Sequence, residues 1–157
     1  VKDVTALGEA MHGIIAAEIN SPDDGLANRT ARILKEWGFE EAVEPGAALA
    51  AARQFIGWAK ATFDPIAWHA EFPLTHVLAN GQVAQGFIDL LLETKDGYVI
   101  IDHKATPRPR TEWKEIAEGY SGQLRTYKAA VEAGTGRAVV GTYIDMTVGG
   151  GVVPVGM

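Results

Sequence analysis

Cysteine is missing from all 157 residues, which rules out a disulfide framework, thiol chemistry and a thiolate-held zinc, and fits a reducing interior. Any metal must then use oxygen and imidazole ligands. No run of about 18 uninterrupted apolar residues occurs, so no membrane span is expected, and no basic segment leads into an apolar one as in a secretory signal. The expectation is a soluble, cytoplasmic chain. Also missing is the phosphate-cradling pattern Gly-x-x-x-x-Gly-Lys-[ST], so the chain brings no ATP-driven motor of its own. Basic charge is scarce as well. Fourteen Lys and Arg against 20 Asp and Glu leave a net charge of −6, the wrong sign for holding nucleic acid by bulk electrostatics. Arg108, Arg110, Lys114, Arg125 and Lys128 do cluster, either as a local basic patch on an acidic body or as an ordinary solvated face. No aromatic ladder for base stacking is evident.

What is present is enough for one domain with a continuous core, since 47% of the residues are hydrophobic. The first half reads as helices. Leu7, Met11, Ile14 and Ile15 recur at helical spacing between about Asp3 and Asn20. Ser21 as cap, Pro22 at the first helical position and Asp23 and Asp24 at the positive dipole end then start a second helix, with Leu26, Ile33, Leu34 and Trp37 as its buried stripe up to Gly38. A third helix is predicted from about Gly46 to Thr62. From Trp68 the pattern changes to strands. Asn80-Gly81 and Asp96-Gly97 are two-residue hairpin signals, and they predict a meander of strands around 70–78, 82–94 and 98–104. A helix from about Glu112 to Ala133, a strand from about Ala138 to Met146 and a short terminal strand complete the order. The fold class is α/β, a mixed sheet flanked by helices.

The chemistry concentrates on the strands. Asp102 and Lys104 are two apart, so their side chains share one face while His103 points to the other. With Asp96-Gly97 as the loop, Asp89 stands opposite Lys104 and Leu91 opposite Asp102. Asp89 then shares the face of Asp102 and Lys104. Two carboxylates among Ile88, Leu90, Ile100 and Ile101 are costly to bury without a positive partner. A hard divalent cation such as magnesium is one such partner, because it keeps several waters and needs only one or two carboxylates. A cross-strand salt-bridge cluster on a half-exposed face is the other reading of the same spacing. Pairing across Asn80-Gly81 sets Phe72 opposite Asp89 and turns Glu71 away. His69 and His76 are seven apart on a strand, which argues against a shared metal site.

The ordered set Gly86-Phe87-Ile88-Asp89, Ile100-Ile101-Asp102-His103-Lys104 and Gln123 with Tyr127 four residues on resembles the RecB-like branch of the PD-(D/E)xK nuclease superfamily. Gly8-Glu9-Ala10-Met11-His12 on the first helix is similar to that branch's Gly-x-x-x-His pattern. The resemblance implies a restriction-endonuclease-like αβββαβ core with additional N-terminal helices, making residues 1–157 one nuclease domain of a larger helicase-nuclease of the RecB or AddA type. It implies that Asp89, Asp102 and Lys104 are catalytic, and that His12, Asp89, Asp102 and the main-chain carbonyl of His103 hold Mg2+, for which Mn2+ can substitute. Gln123 and Tyr127 are then substrate-positioning residues, and Arg108, Arg110, Lys114 and Arg125 are candidate DNA contacts. The implied activity is metal-dependent hydrolysis of DNA, single-stranded and end-directed, in break repair and recombination at the bacterial nucleoid, in partnership with a helicase of the parent protein. The rival expectation is a catalytically silent DNA-binding or scaffolding module on the same fold. A self-standing nuclease acting on RNA or on a defined DNA site is a further alternative.

Overall fold

The computed structural model describes residues 3–20 and 26–156, with the side chains of the second helix described from residue 29 onward. The capping role expected of Ser21, Pro22, Asp23 and Asp24, and the buried place expected of Leu26, lie outside these described residues. Contacts group the chain into two compact units. One comprises Val1–Asp64, His103–Pro107 and Met146–Gly151; the other comprises Pro65–Asp102, Arg108–Asp145 and Val152–Met157.

Three helices dominate the first unit: α1 (Val4–Asn20), α2 (Leu26–Glu36) and α3 (Pro45–Phe63). The Asp3 carboxylate accepts from the Ala6 amide at the start of α1, and Leu7, Met11, Ile14 and Ile15 are buried as their spacing foretold. Glu44 caps α3 by accepting from the Gly46 and Ala47 amides, with Pro45 at the first helical position. The Glu18 carboxylate, buried on α1, accepts from Arg53 Nε on α3 at 3.0 Å. Trp37, expected in the buried stripe, is instead 45% exposed. The cause is the helix end. Gly38, at φ +81°, donates to Lys35 O while Phe39 donates to Leu34 O, a six-to-one closure that brings the residue after the glycine back onto the helix. Phe39 is buried while Trp37 stays exposed.

The second unit is built on strands β1 (Ala67–Val77), β2 (Val83–Thr94), β3 (Gly97–Lys104), β4 (Val139–Met146) and β5 (Gly151–Pro154), which lie in that order across one sheet. β3 runs on by two residues into the first unit. β1, β2 and β3 form the expected antiparallel meander. The start of β3 is bonded to the residue before β4 (Tyr98 N to Ala138 O) and its end to the residue after β4 (Thr147 N to Lys104 O). These two strands thus run parallel, and the sheet is mixed. The crossover helix foreseen for residues 112–133 is interrupted: a 3-10 turn (Arg110–Glu112) and α4 (Trp113–Glu118) end at Gly119, and α5 (Ser121–Thr135) follows. Glycine in a helix interior is weakly held, and the Gly119 amide here bonds the carbonyls of both Glu115 and Ile116. Leu124 and Val131 of α5 are buried. Among the described residues no helix is long and apolar enough to cross a membrane.

Both hairpins close differently from expectation. In the second, β2 and β3 pair through Thr94 with Gly97, so the two loop residues are Lys95 and Asp96. The Thr94 hydroxyl donates to Gly97 O and accepts from the Asp96 amide. In the first, Val77 pairs with Val83 and the Leu78 amide donates to Gln82 O. Three residues, Ala79, Asn80 and Gly81, then make the turn, with Gly81 at φ +83° and Asn80 Oδ1 accepting from the Gln82 amide. A three-residue loop ending on a left-handed glycine is the next commonest hairpin after the two-residue form.

Candidate active site

Loop closure decides who faces whom. β2 and β3 are in register from Thr94 with Gly97 to Leu90 with Ile101, and one step further along the same register sets Asp89 opposite Asp102. The expected pairs, Asp89 with Lys104 and Leu91 with Asp102, are corrected by two residues. A two-residue shift preserves the face, because side chains alternate with period two. Asp89 and Asp102 therefore share one face on neighbouring strands, and Lys104, two residues beyond Asp102, is the diagonal neighbour by register. Asp102 is only 4% exposed and Asp89 is half-buried.

A correction by one residue, in the other hairpin, has the opposite consequence. Ala70 pairs with Leu90 and Phe72 with Ile88, so Glu71 stands opposite Asp89 where Phe72 was expected. Register thus lines up Glu71, Asp89 and Asp102 across β1, β2 and β3. Glu71 is the only described non-glycine strand residue with positive φ, at +54°, and this left-handed backbone takes it out of the regular alternation. Such a conformation in a non-glycine residue is strained and concentrates at functional places. Sequence reasoning set Glu71 aside only because it assumed the shorter turn. Asp145 on β4 is a further carboxylate, 4% exposed, that no motif singled out.

In the first unit, His12 and His103 come together, with ring centroids 5.4 Å apart. Phe55 of α3 meets the other side of this pair, 5.2 Å from the His103 ring and nearly perpendicular to it. His103 was expected to contribute through its carbonyl alone; its buried ring is also a packing surface. Gly8 has a steric reason to be glycine, since a Cβ there would come within 2.8 Å of Ala105 Cβ. The Gly-x-x-x-His spacing is thus what lets α1 lie against the segment that follows Lys104. The Lys104 carbonyl accepts from both the amide and the hydroxyl of Thr147, which fixes the backbone at this end of β3.

On α5, Gln123 Nε2 donates to the Tyr127 hydroxyl at 3.0 Å, so the two residues form one unit one helical turn apart. The same hydroxyl lies 3.7 Å from where a Cβ on Gly86 would be, an ordinary packing distance that sets α5 beside the start of Gly86-Phe87-Ile88-Asp89. Arg108 reaches Glu112 at 3.5 Å, Arg110 lies over the Trp113 ring, and Arg125 bonds the Ser121 hydroxyl. Lys114 and these three arginines are exposed.

Two facing carboxylates fit a hard cation that keeps most of its waters. Among the described residues no group of three or more His, Asp or Glu side chains is gathered closely enough to hold a metal ion, so the fit rests on the carboxylate pair.

The chain is similar to the A component of the ATP-dependent helicase/nuclease of Pelotomaculum thermopropionicum, 42% identical over 62 residues, which is 40% of this chain and 5% of that protein. The corresponding protein of a Thermoanaerobacter species is 37% identical over 68 residues, 43% of this chain and 6% of that protein. That of Anoxybacillus flavithermus is 35% identical over 89 residues, 53% of this chain and 7% of that protein. The chain thus spans a small fraction of the length of these relatives. A family model covers far more of it, residues 2–152, a span that takes in the His12 helix, both acidic strands and α5; the chain belongs to the PD-(D/E)XK nuclease superfamily.

Proposed function

We propose that this chain is a single nuclease domain that hydrolyses DNA phosphodiesters with a divalent metal, on single-stranded ends delivered by the helicase part of a parent protein. The observation that carries the reading is the β2–β3 register, paired as far as Leu90 with Ile101, whose next step sets Asp89 opposite Asp102, with Lys104 two residues further along β3. Asp89 and Asp102 would hold the cation, Mg2+ or Mn2+, with water and phosphate oxygens completing its shell. Such an ion supplies Lewis acidity toward the phosphate and a water of lowered pKa. Lys104 would orient the attacking water and stabilise the negative charge that develops on the phosphate oxygens. Gln123 and Tyr127, already bonded to each other, hold the strand beside the acids, and Arg108, Arg110, Lys114 and Arg125 contact its backbone. The names of the relatives join nuclease to ATP-dependent helicase, which supports a strand fed by a motor; on this reading the chain acts in DNA repair and recombination in the bacterial cytoplasm.

The test is cleavage of end-labelled single-stranded DNA by the wild-type protein and by Asp102→Ala, with magnesium, manganese or EDTA. Removing one of two metal-holding acids is expected to lower the rate by about a thousandfold or more. Cutting that survives EDTA, or that persists in Asp102→Ala, sinks the reading.

A further inference from the structure

The face of the β1–β2 hairpin that carries Asp89 continues toward the hairpin tip without a single charge. On it stand three cross-strand pairs: Pro73 with Phe87, Thr75 with Gln85 and Val77 with Val83. All six are exposed, and the apolar ones are strongly so: Phe87 60%, Val83 58% and Val77 64%. The alternate residues, Leu74, His76, Ala84 and Gly86, are half-buried, with Tyr127 of α5 beside Gly86. One exposed apolar residue is ordinary. Here an aromatic ring and two valines share one open face, two residues, or about 7 Å, from Asp89.

We propose that Phe87 is a stacking platform for a base of the strand whose phosphate lies at Asp89 and Asp102, with Pro73 flanking it and the uncharged pairs beyond as the path of the next bases. This rests on the nuclease reading. Three features name the occupant. The phosphate is placed by the acids, so the step to Phe87 is the reach from a phosphate to its own base. From Phe87 to the hairpin tip the three described pairs include no cation to draw phosphates onto them, whereas every base has a π-face that an aromatic ring can take. And a chain of net charge −6 cannot hold a polyanion by bulk attraction, so it needs a contribution that does not depend on charge. Phe87 escaped the sequence reading because it is one ring, not a ladder, and only the hairpin register shows that its face is the open one.

The experiment is an anisotropy titration of labelled oligothymidylate, and of an abasic phosphodiester of the same length, with calcium replacing the catalytic metal. Wild type, Phe87→Ala and Phe87→Trp are compared. Loss of one stacked base is expected to weaken oligothymidylate binding roughly 5- to 150-fold in Phe87→Ala, with the same factor at low and high salt. The abasic strand should bind all three proteins alike, and Phe87→Trp should restore binding to oligothymidylate. No binding by wild type, equal binding by Phe87→Ala, or an equal loss on both strands overturns the proposal; equal binding is also the outcome if a partner protein, not a base, covers the ribbon. Cleavage is read separately. A Phe87-dependent affinity without cutting leaves the platform standing and removes the nuclease, whereas cutting that ignores Phe87 removes the platform alone.

Discussion

The two hairpins of the sheet carry the same sequence signal and obey different rules. Asn80-Gly81 and Asp96-Gly97 both advertise a two-residue turn. At the first, the loop is one residue longer than the signal suggests; at the second, it is two residues long but one position earlier. The one-residue change reverses which β1 residue faces Asp89, replacing Phe72 by Glu71, while the two-residue change of register at the second turn leaves Asp89 on the face of Asp102. What separates the two turns is tertiary contact. The second is held from outside: Gly97 sits against the Ala138 carbonyl with no room for a Cβ, and Arg137 donates to Glu93, to Thr94 O and to Lys95 O. The first turn is exposed, and its described bonds are its own.

The difference can be broken most sharply at Gly97. Its φ of +142° and the clash that a Cβ there would make with Ala138 O predict that Gly97→Ala lowers stability by about 3 kcal/mol, through strain and lost pairing together. Urea unfolding measures this, and a cost below about 1 kcal/mol would mean that the turn is not pinned to the residue before β4. Next in size is Arg137→Ala, which takes this donor from the Thr94 and Lys95 carbonyls and from Glu93; about 1.5 kcal/mol is expected, with faster hydrogen exchange at the Asp96 and Gly97 amides as the local signature. At the first turn, nothing lies within 4 Å of a Cβ on Gly81, so Gly81→Ala costs only the left-handed backbone, about 1 kcal/mol. A loss equal to that of Gly97→Ala would erase the distinction between the turns. Smallest is Glu71→Gly, where relief of the positive φ offsets the entropy of a strand glycine together with part of what the side chain contributes, leaving a loss of about 0.5 kcal/mol. A clear loss there would show that the Glu71 side chain itself holds β1 in place.

Much of the fold was legible because it is written in local periodicity. The stripe of Leu7, Met11, Ile14 and Ile15 marks α1, and the shift to strands at Trp68 marks the sheet. The break at Gly119 and the exchange of Trp37 for Phe39 were not legible, since each depends on how a helix end closes rather than on its apolar pattern. In the candidate site, Asp102 and Lys104 could be placed on one face from spacing alone, because alternation along a single strand needs no partner. Glu71 could not, because its place depends on the length of a turn between two strands.

The sequence by itself determined what lies along each strand and helix: which carboxylates exist, which share a face within one strand, and that glycine stands at positions 8 and 86 of motifs that resemble those of a nuclease. The tertiary structure decided what lies across: Asp89 opposite Asp102, Glu71 opposite Asp89, and Phe87 on the open face of its ribbon. The physical reason is that periodicity is a property of one segment, whereas register is settled where segments meet, here by a glycine packed against a carbonyl 41 residues further along the chain.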